Sequence, residues 1–110
     1  MSTRHPLQSD AALELIASRF KALAEPARLK LLQALHSGEK NVSALVEETG
    51  LTQANASRHL QILVENGILV RRRDGQSVFY SIGDMNVLRL CSEVCGGVKK
   101  HHASKASSVK

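Results

Sequence analysis

The chain has 110 residues, a length typical of one domain, and a formal net charge of +5. Four of its 15 Lys and Arg residues lie in the last twelve positions, so the remainder of the chain is almost neutral. Its two cysteines are too few for a disulfide framework. No apolar run has the form of a signal peptide or the length of a membrane span. We therefore expect a cytoplasmic protein and exclude the secreted disulfide-rich and membrane-spanning classes.

Two helices are predicted in the first third of the chain. Residues 1–8 show no helical pattern, and we expect them to form a disordered N-terminus. The first helix starts near Ser9 or Asp10 and repeats apolar residues at helical spacing. Pro26 ends that run and opens the second helix, because a proline at the first helical position loses no hydrogen bond. The second helix is predicted to end near Gly38.

Residues 41–67 have the pattern of two short helices joined by a tight turn. Apolar residues recur at helical spacing on both sides of Gly50. Asn41 and Thr52 are placed to cap these helices, because each offers a side-chain oxygen to unpaired N–H groups of the first turn. Gly50 and Gly67 follow the two helices, where a left-handed backbone conformation favours glycine. The segment is therefore predicted to be a helix-turn-helix.

The second of these helices carries side chains that can read base pairs. Away from its apolar stripe, the first part of this helix presents hydrogen-bonding residues and no acidic one, namely Gln53, Asn55, Ser57, Arg58 and Gln61. Asn and Gln can bond bidentately to adenine, Arg to guanine, and Ser to base edges or phosphate. This chemistry predicts a helix that enters the major groove of DNA. Taken alone, the same residues are equally compatible with a solvated surface face.

A β-hairpin is predicted directly after Gly67. Residues 68–73 and 76–82 have strand-like patterns, and the Asp74-Gly75 pair between them is a strong hairpin signal. The basic and polar residues beside the turn are Arg71, Arg72, Arg73 and Gln76. Their position after a candidate recognition helix predicts a wing that contacts the phosphate backbone or the minor groove. The alternative is that these residues only protect an exposed edge strand.

A last helix is predicted from about Met85 to Cys95 or a little beyond, capped by Asp84. Its apolar stripe is broader than one small domain can bury, so we expect it to pair with the first helix and with its own copy across a two-fold axis. Residues 9–98 would then form one domain. Residues 99–110 are basic and polar, and we expect a disordered tail there.

The segment from Phe20 to Asp84 resembles the ArsR/SmtB family of bacterial winged-helix repressors. The resemblance is carried by FKALAEPARLKLLQAL and LTQANASRHLQILVENGILVRRRDGQSVFYSI, above all by Ser57-Arg58-His59-Leu60 and the Asp74-Gly75 hairpin. It implies a mainly α fold with a two-stranded β-hairpin, a winged helix-turn-helix of order α-α-α-α-β-β-α that dimerises through its first and last helices. It also implies repression at an inverted-repeat operator on double-stranded DNA. Release would follow when an inducer binds, often a metal ion, a metalloid or a thiol-reactive species.

Two metal-binding patterns of that family are absent from this chain. Residues 42–45 contain no Cys-x-Cys, and Asn86 stands where zinc sensors of the family have the His of Asp-x-His. Cys91 and Cys95 remain, and their spacing places both thiols on one side of a helix. With a second copy they could bind As(III) or Zn(II), or they could react with reactive sulfur or be reversibly oxidised. The alternative is that both thiols only pack in the apolar stripe.

Other classes of function have less support in the sequence. A winged-helix module for protein–protein contact is the second hypothesis, and it predicts no salt-dependent affinity for duplex DNA. An enzyme is the weakest hypothesis, because no nucleophile–base set, phosphate-binding loop or paired carboxylates can be recognised.

Overall fold

The computed structural model describes residues 9–108 and the side chains of residues 9–98. This part of the chain forms five helices and three strands: α1 (Asp10–Leu23), α2 (Pro26–Leu35), β1 (Lys40–Asn41), α3 (Val42–Thr49), α4 (Gln53–Glu65), β2 (Leu69–Asp74), β3 (Ser77–Ile82) and α5 (Met85–Ser108). The order confirms the predicted winged helix-turn-helix, with α3 and α4 as the two helices of the motif. The predicted disorder of residues 1–8 lies outside the described residues.

The helix boundaries follow from local side-chain chemistry. The side-chain oxygens of Ser9, Asn41 and Thr52 accept hydrogen bonds from backbone N–H groups three residues ahead, at 3.1, 2.9 and 3.1 Å. Each bond satisfies one of the donors that the first turn of a helix leaves unpaired. Gly50 and Gly67 have φ of 78° and 73°, the left-handed conformation predicted for them. These signals fix where the helix-turn-helix begins, turns and ends.

The core lies between the helices and the inner face of the sheet. Its largest fully buried side chains are Leu31, Leu35, Leu45, Leu60, Leu63 and Ile68. Tyr80 of β3 and Val87 of α5 extend this cluster at 6% and 7% exposure. Because α4 contributes two of the fully buried leucines, burial of apolar surface fixes which face of α4 points inward.

The sheet has three strands, whereas the sequence predicts a two-stranded hairpin. Lys40 and Asn41 form β1, which pairs antiparallel with β3 and gives the strand order β1-β3-β2. Two residues are too few to show the alternation that identifies a strand in a sequence. The β2–β3 hairpin itself is confirmed, with Asp74 opposite Ser77 across the turn.

Helix α5 is longer than the sequence predicts. It continues through Gly96 and Gly97 to Ser108, whereas an end at Cys95 or a little beyond and a disordered tail from residue 99 are predicted. A glycine in a helix costs only about 1 kcal/mol relative to alanine, and no proline follows to stop the helix. The predicted tail is thus corrected to helix for residues 99–108. No helix within residues 9–108 combines the length and the apolar character needed to cross a bilayer.

Candidate nucleic-acid interface

The residues predicted to read bases share the exposed face of α4. Those on this face are Gln53, Asn55, Ser57, Arg58 and Gln61, and all five are exposed. On the opposite face Ala56, Leu60 and Leu63 are fully buried. The polar face begins directly after the Thr52 cap. It therefore lies at the end of α4 where the positive pole of the helix dipole attracts phosphate. The face is free to meet a ligand because α4 packs on the rest of the protein through its opposite face.

Arg28 of α2 contacts the back of this helix through His59. The Arg28 Nε donates a hydrogen bond to His59 Nδ1 at 3.0 Å, and Arg28 Nη1 donates to the Ala22 carbonyl oxygen at 3.2 Å. His59 is 5% exposed, so this contact is shielded from water. Arg28 therefore connects α1, α2 and the recognition helix. The sequence indicates no more than a structural or DNA-adjacent role for His59, and nothing in it distinguishes Arg28 from other basic residues.

Burial and neighbouring charges keep His59 neutral. Desolvation by burial lowers its pKa most, the guanidinium groups of Arg58 and Arg28 lower it further, and Glu25 acts weakly in the opposite direction. A neutral imidazole that accepts at Nδ1 carries its proton on Nε2. The Nε2, 3.4 Å from Arg58 Nη2, then has no lone pair to offer. The guanidinium of Arg58 is thus available at the exposed face of α4.

Lowering the pH is expected to destabilise the fold through His59. Its folded-state pKa lies below the usual 6.5, so its contribution is fully present above pH 6.5 and is lost as the pH falls through the lowered pKa. Between those two pKa values the unfolded chain binds up to one extra proton. The free energy of unfolding should therefore fall by at most about 1.4 kcal/mol per pH unit. Urea titrations from about pH 7.5 to about pH 5 would measure this slope.

The control variant is His59→Asn, whose side chain keeps a hydrogen-bond acceptor near the position of Nδ1 and does not titrate. Its unfolding free energy should vary less steeply over the same pH interval. An unchanged slope in His59→Asn would assign the pH dependence to other groups.

The wing is the β2–β3 hairpin, and alternation along β2 divides its arginines between two faces. Arg71 lies opposite Tyr80, which is buried in the core, and Arg73 lies two residues further on the same face. Arg72 lies opposite Phe79 on the other face. All three arginines are exposed. Arg71 and Arg73 are thus on the side of the sheet that packs against the helices, and Arg72 is on the outer side.

Arg72 is bound to a carboxylate. Its Nε and Nη2 donate to the two carboxylate oxygens of Glu39 at 2.8 and 2.7 Å, and its guanidinium lies 4.9 Å from the centroid of the Phe79 ring. The Oδ2 atom of Asp74 lies 3.8 Å from Nη1 of Arg72. The hydrogen bond from Arg72 holds the pKa of Glu39 below its usual range, so the pair is charged at neutral pH. The sequence groups three arginines into one cluster, and the structure separates Arg72 from the other two.

Cys91 and Cys95 lie at a cavity of about 320 Å³ between α2 and α5. The other residues that line it are Leu29, Leu32, Gln33, His36, Leu88 and Ser92. Cys95 is exposed, and Cys91 is partly buried, which raises the pKa of its thiol. Among the residues the structure describes, no group of three or more His, Cys, Asp or Glu side chains is placed to hold a metal ion. One described protomer thus offers two thiols as soft ligands at this position.

An apolar surface extends along α1 and α5. Its large side chains are 37–58% exposed and comprise Leu13, Ile16, Phe20, Leu90, Val94 and Val98. Arg19 of α1 pairs with Asp84 at the start of α5, with 2.6 Å between Nη1 and Oδ2. Monomeric proteins rarely expose apolar patches of this extent without an interaction to cover them.

An exposed polar face on the second helix of a helix-turn-helix, followed by a basic hairpin, defines a winged helix-turn-helix protein of the DNA-binding class. Residues 25–70 match the bacterial regulatory proteins of the arsR family. The chain belongs to the ArsR family, whose members are DNA-binding transcription regulators rather than enzymes.

Individual relatives agree with this assignment. The chain is 46% identical over 71 residues to the probable mercury resistance operon repressor of Streptomyces lividans, a match to 64% of this chain and 57% of that protein. It is 36% identical to the homodimeric winged helix-turn-helix DNA-binding domain of Mb0332 from Mycobacterium bovis, with a TM-score of 0.76 over 88% and 93% of the two chains. The antimony-specific transcriptional repressor AntR is 30% identical, with a TM-score of 0.78 over 93% of each chain. The chain thus spans just over half of the mercury repressor and nearly all of the two structural relatives.

Proposed function

We propose that this chain is a homodimeric repressor that binds an inverted-repeat operator and leaves it when a soft metal ion, a metalloid or a thiol-reactive species acts at Cys91 and Cys95. The observation that carries the proposal is the polar face of α4 from Gln53 to Gln61, which has no acidic residue and lies beside a basic wing. Membership of the ArsR family and the homodimeric relative support it.

The DNA contacts divide between α4 and the wing. Base edges are contacted by five exposed polar residues of α4, namely Gln53, Asn55, Ser57, Arg58 and Gln61. The phosphate backbone is contacted by Arg71, Arg73 and Gln76. We leave Arg72 out of this set because its guanidinium is bound to Glu39. In a two-fold dimer the two α4 helices enter major grooves about 34 Å apart, one helical turn of DNA.

The dimer is formed through α1 and α5. Their exposed apolar side chains, Phe20 and Val94 among them, are 55% and 58% exposed in the protomer and would be covered by a second copy. The thiols of Cys91 and Cys95 lie on α5 next to this surface. A dimer therefore brings two thiol pairs toward the two-fold axis.

The inducer is a species that binds thiols. As(III) takes three thiolates and Zn(II) four sulfur or nitrogen ligands, so either ion would draw ligands from both protomers. Reactive sulfur or an oxidant modifies a single thiol or joins thiols of the two protomers, because a disulfide between Cys91 and Cys95 of one protomer would distort α5. Binding raises the population of a conformation with low affinity for DNA by a coupling free energy of about 1–3 kcal/mol, or about 5–150-fold. The packing of α2 between the thiol cavity and α4 provides a physical connection for this coupling.

The test is a titration of DNA-bound protein with As(III), Zn(II), Hg(II), persulfide and peroxide, followed by fluorescence anisotropy of a labelled duplex. At least one of these is expected to weaken binding by about 5–150-fold. In the double variant Cys91→Ser/Cys95→Ser the same agent should have no effect, whereas the matched control Ser92→Ala should respond like the wild type. Release that persists in the double variant would remove the cysteines from the mechanism. If no agent releases the DNA, the thiols have a packing role and the regulator has no cysteine sensor.

A further inference from the structure

Three side chains form a line across the outer face of the sheet. Glu39 directly precedes β1 and lies on the same face as Asn41, two residues on, and Asn41 lies opposite Phe79 of β3. Phe79 in turn lies opposite Arg72 of β2. With the strand order β1-β3-β2, the Glu39–Arg72 ion pair therefore joins the two outer strands over the central one. We call Glu39, Phe79 and Arg72 the cross-sheet strap.

The outer half of the hairpin has little other support. Residues 71–77 are all exposed, Val78 is only partly buried against the core, and Tyr80 is the first buried residue of β3 after the turn. A two-stranded ribbon is marginally stable without further packing. The strap attaches this ribbon to the short strand β1 and thereby to α3, which follows β1 directly. Its bidentate geometry and the aromatic ring under the guanidinium allow few relative orientations of the strands.

We propose that Glu39 and Arg72 are positioning residues that set the angle of the wing against DNA, and that the charge of Arg72 does not neutralise a phosphate. The inference rests on the proposed contact between the wing and the DNA backbone. Arg72 faces away from the side of the sheet that packs on the helices, and its charge is already balanced by Glu39. Arg71 and Arg73 supply the charges that displace counterions.

Salt dependence separates positioning from phosphate contact. Each phosphate that a protein neutralises adds about one to the slope of log affinity against log salt concentration, so loss of a phosphate contact lowers the slope. Loss of a positioning residue leaves the slope unchanged and weakens binding at every salt concentration. The two partners of the strap should then show the same effect, although one is a cation and the other an anion.

The experiment measures affinity by anisotropy over a range of salt, with a labelled duplex that the wild-type protein selects from a random-sequence library. Glu39→Gln and Arg72→Gln are each expected to weaken binding by roughly two- to fivefold, the factor typical of one exposed ion pair, with unchanged slope. Arg71→Gln, the matched control one position away, should lower the slope by about one. The charge swap Glu39→Arg/Arg72→Glu should restore affinity to within about twofold of the wild type.

Two outcomes would overturn the inference. If Arg72→Gln lowers the slope as Arg71→Gln does, and Glu39→Gln strengthens binding, then Arg72 contacts phosphate and Glu39 competes for it. If neither Arg71→Gln nor Arg73→Gln changes the slope, the wing does not contact the backbone and the proposed DNA contact fails together with the inference. Circular dichroism of each variant establishes that it is folded, and the charge swap tests the pair even where a single variant loses stability.

Discussion

Replacing Leu60 by alanine is expected to lower the free energy of unfolding by about 2–5 kcal/mol. Leu60 is fully buried at 0% exposure, and its side chain belongs to the cluster that attaches α4 to the rest of the core. The truncation removes apolar contacts and leaves a cavity that the surrounding leucines can fill only in part. Because the free energy of unfolding of a small domain is only about 5–15 kcal/mol, the expected loss is a large fraction of the total stability.

Urea denaturation at one fixed protomer concentration would measure the loss, because the stability of a dimer depends on concentration. The matched control is Leu15→Ala, in which the same atoms are removed from a side chain that is 70% exposed. Its effect should stay within about 0.5 kcal/mol. Equal losses at the two positions would show that Leu60 does not belong to the core.

Replacing Arg58 by alanine is expected to weaken binding to the preferred DNA sequence by about 1–3 kcal/mol and to relax specificity at one base pair. Arg58 is exposed on α4, and neutral His59 beside it has no free lone pair that would hold the guanidinium. An arginine in this position can bond bidentately to the O6 and N7 acceptors of guanine, and no other base presents this pair of acceptors in the major groove. Affinity should therefore fall much less on a non-specific duplex.

Anisotropy with the preferred duplex and with single-base variants of it would test this prediction. Arg58→Lys keeps the charge but cannot donate two parallel hydrogen bonds, so it should retain affinity for non-specific DNA and lose discrimination between the preferred duplex and its single-base variants. Arg89→Ala, an exposed arginine of α5, is the control for a general loss of positive charge. If Arg58→Ala binds the preferred sequence and its variants with unchanged ratios, α4 does not read bases through Arg58.

The sequence predicts those parts of the candidate site that depend on residues close together in the chain. The polar face of α4 follows from helical periodicity alone, because residues three and four apart share a face. The strand alternation that separates Arg72 from Arg71 is equally local. Yet the partner of Arg72, Glu39, is 33 positions away, and Arg28 is 31 positions from His59. No spacing rule connects such residues, so their roles appear only when the chain is folded.

The sequence by itself determined where α1 to α4 begin, the left-handed Gly50 and Gly67, and the hairpin, because caps, periodicity and turn residues act within a few positions of each other. Only the tertiary structure decided that Lys40 and Asn41 form a third strand, since that strand exists through its pairing with Phe79 and Tyr80. The length of α5 shows the limit of local signals, because two glycines weaken a helix without ending it. Contacts between residues that are distant in the sequence form only when the chain folds, and no local pattern of residues indicates which of them will meet.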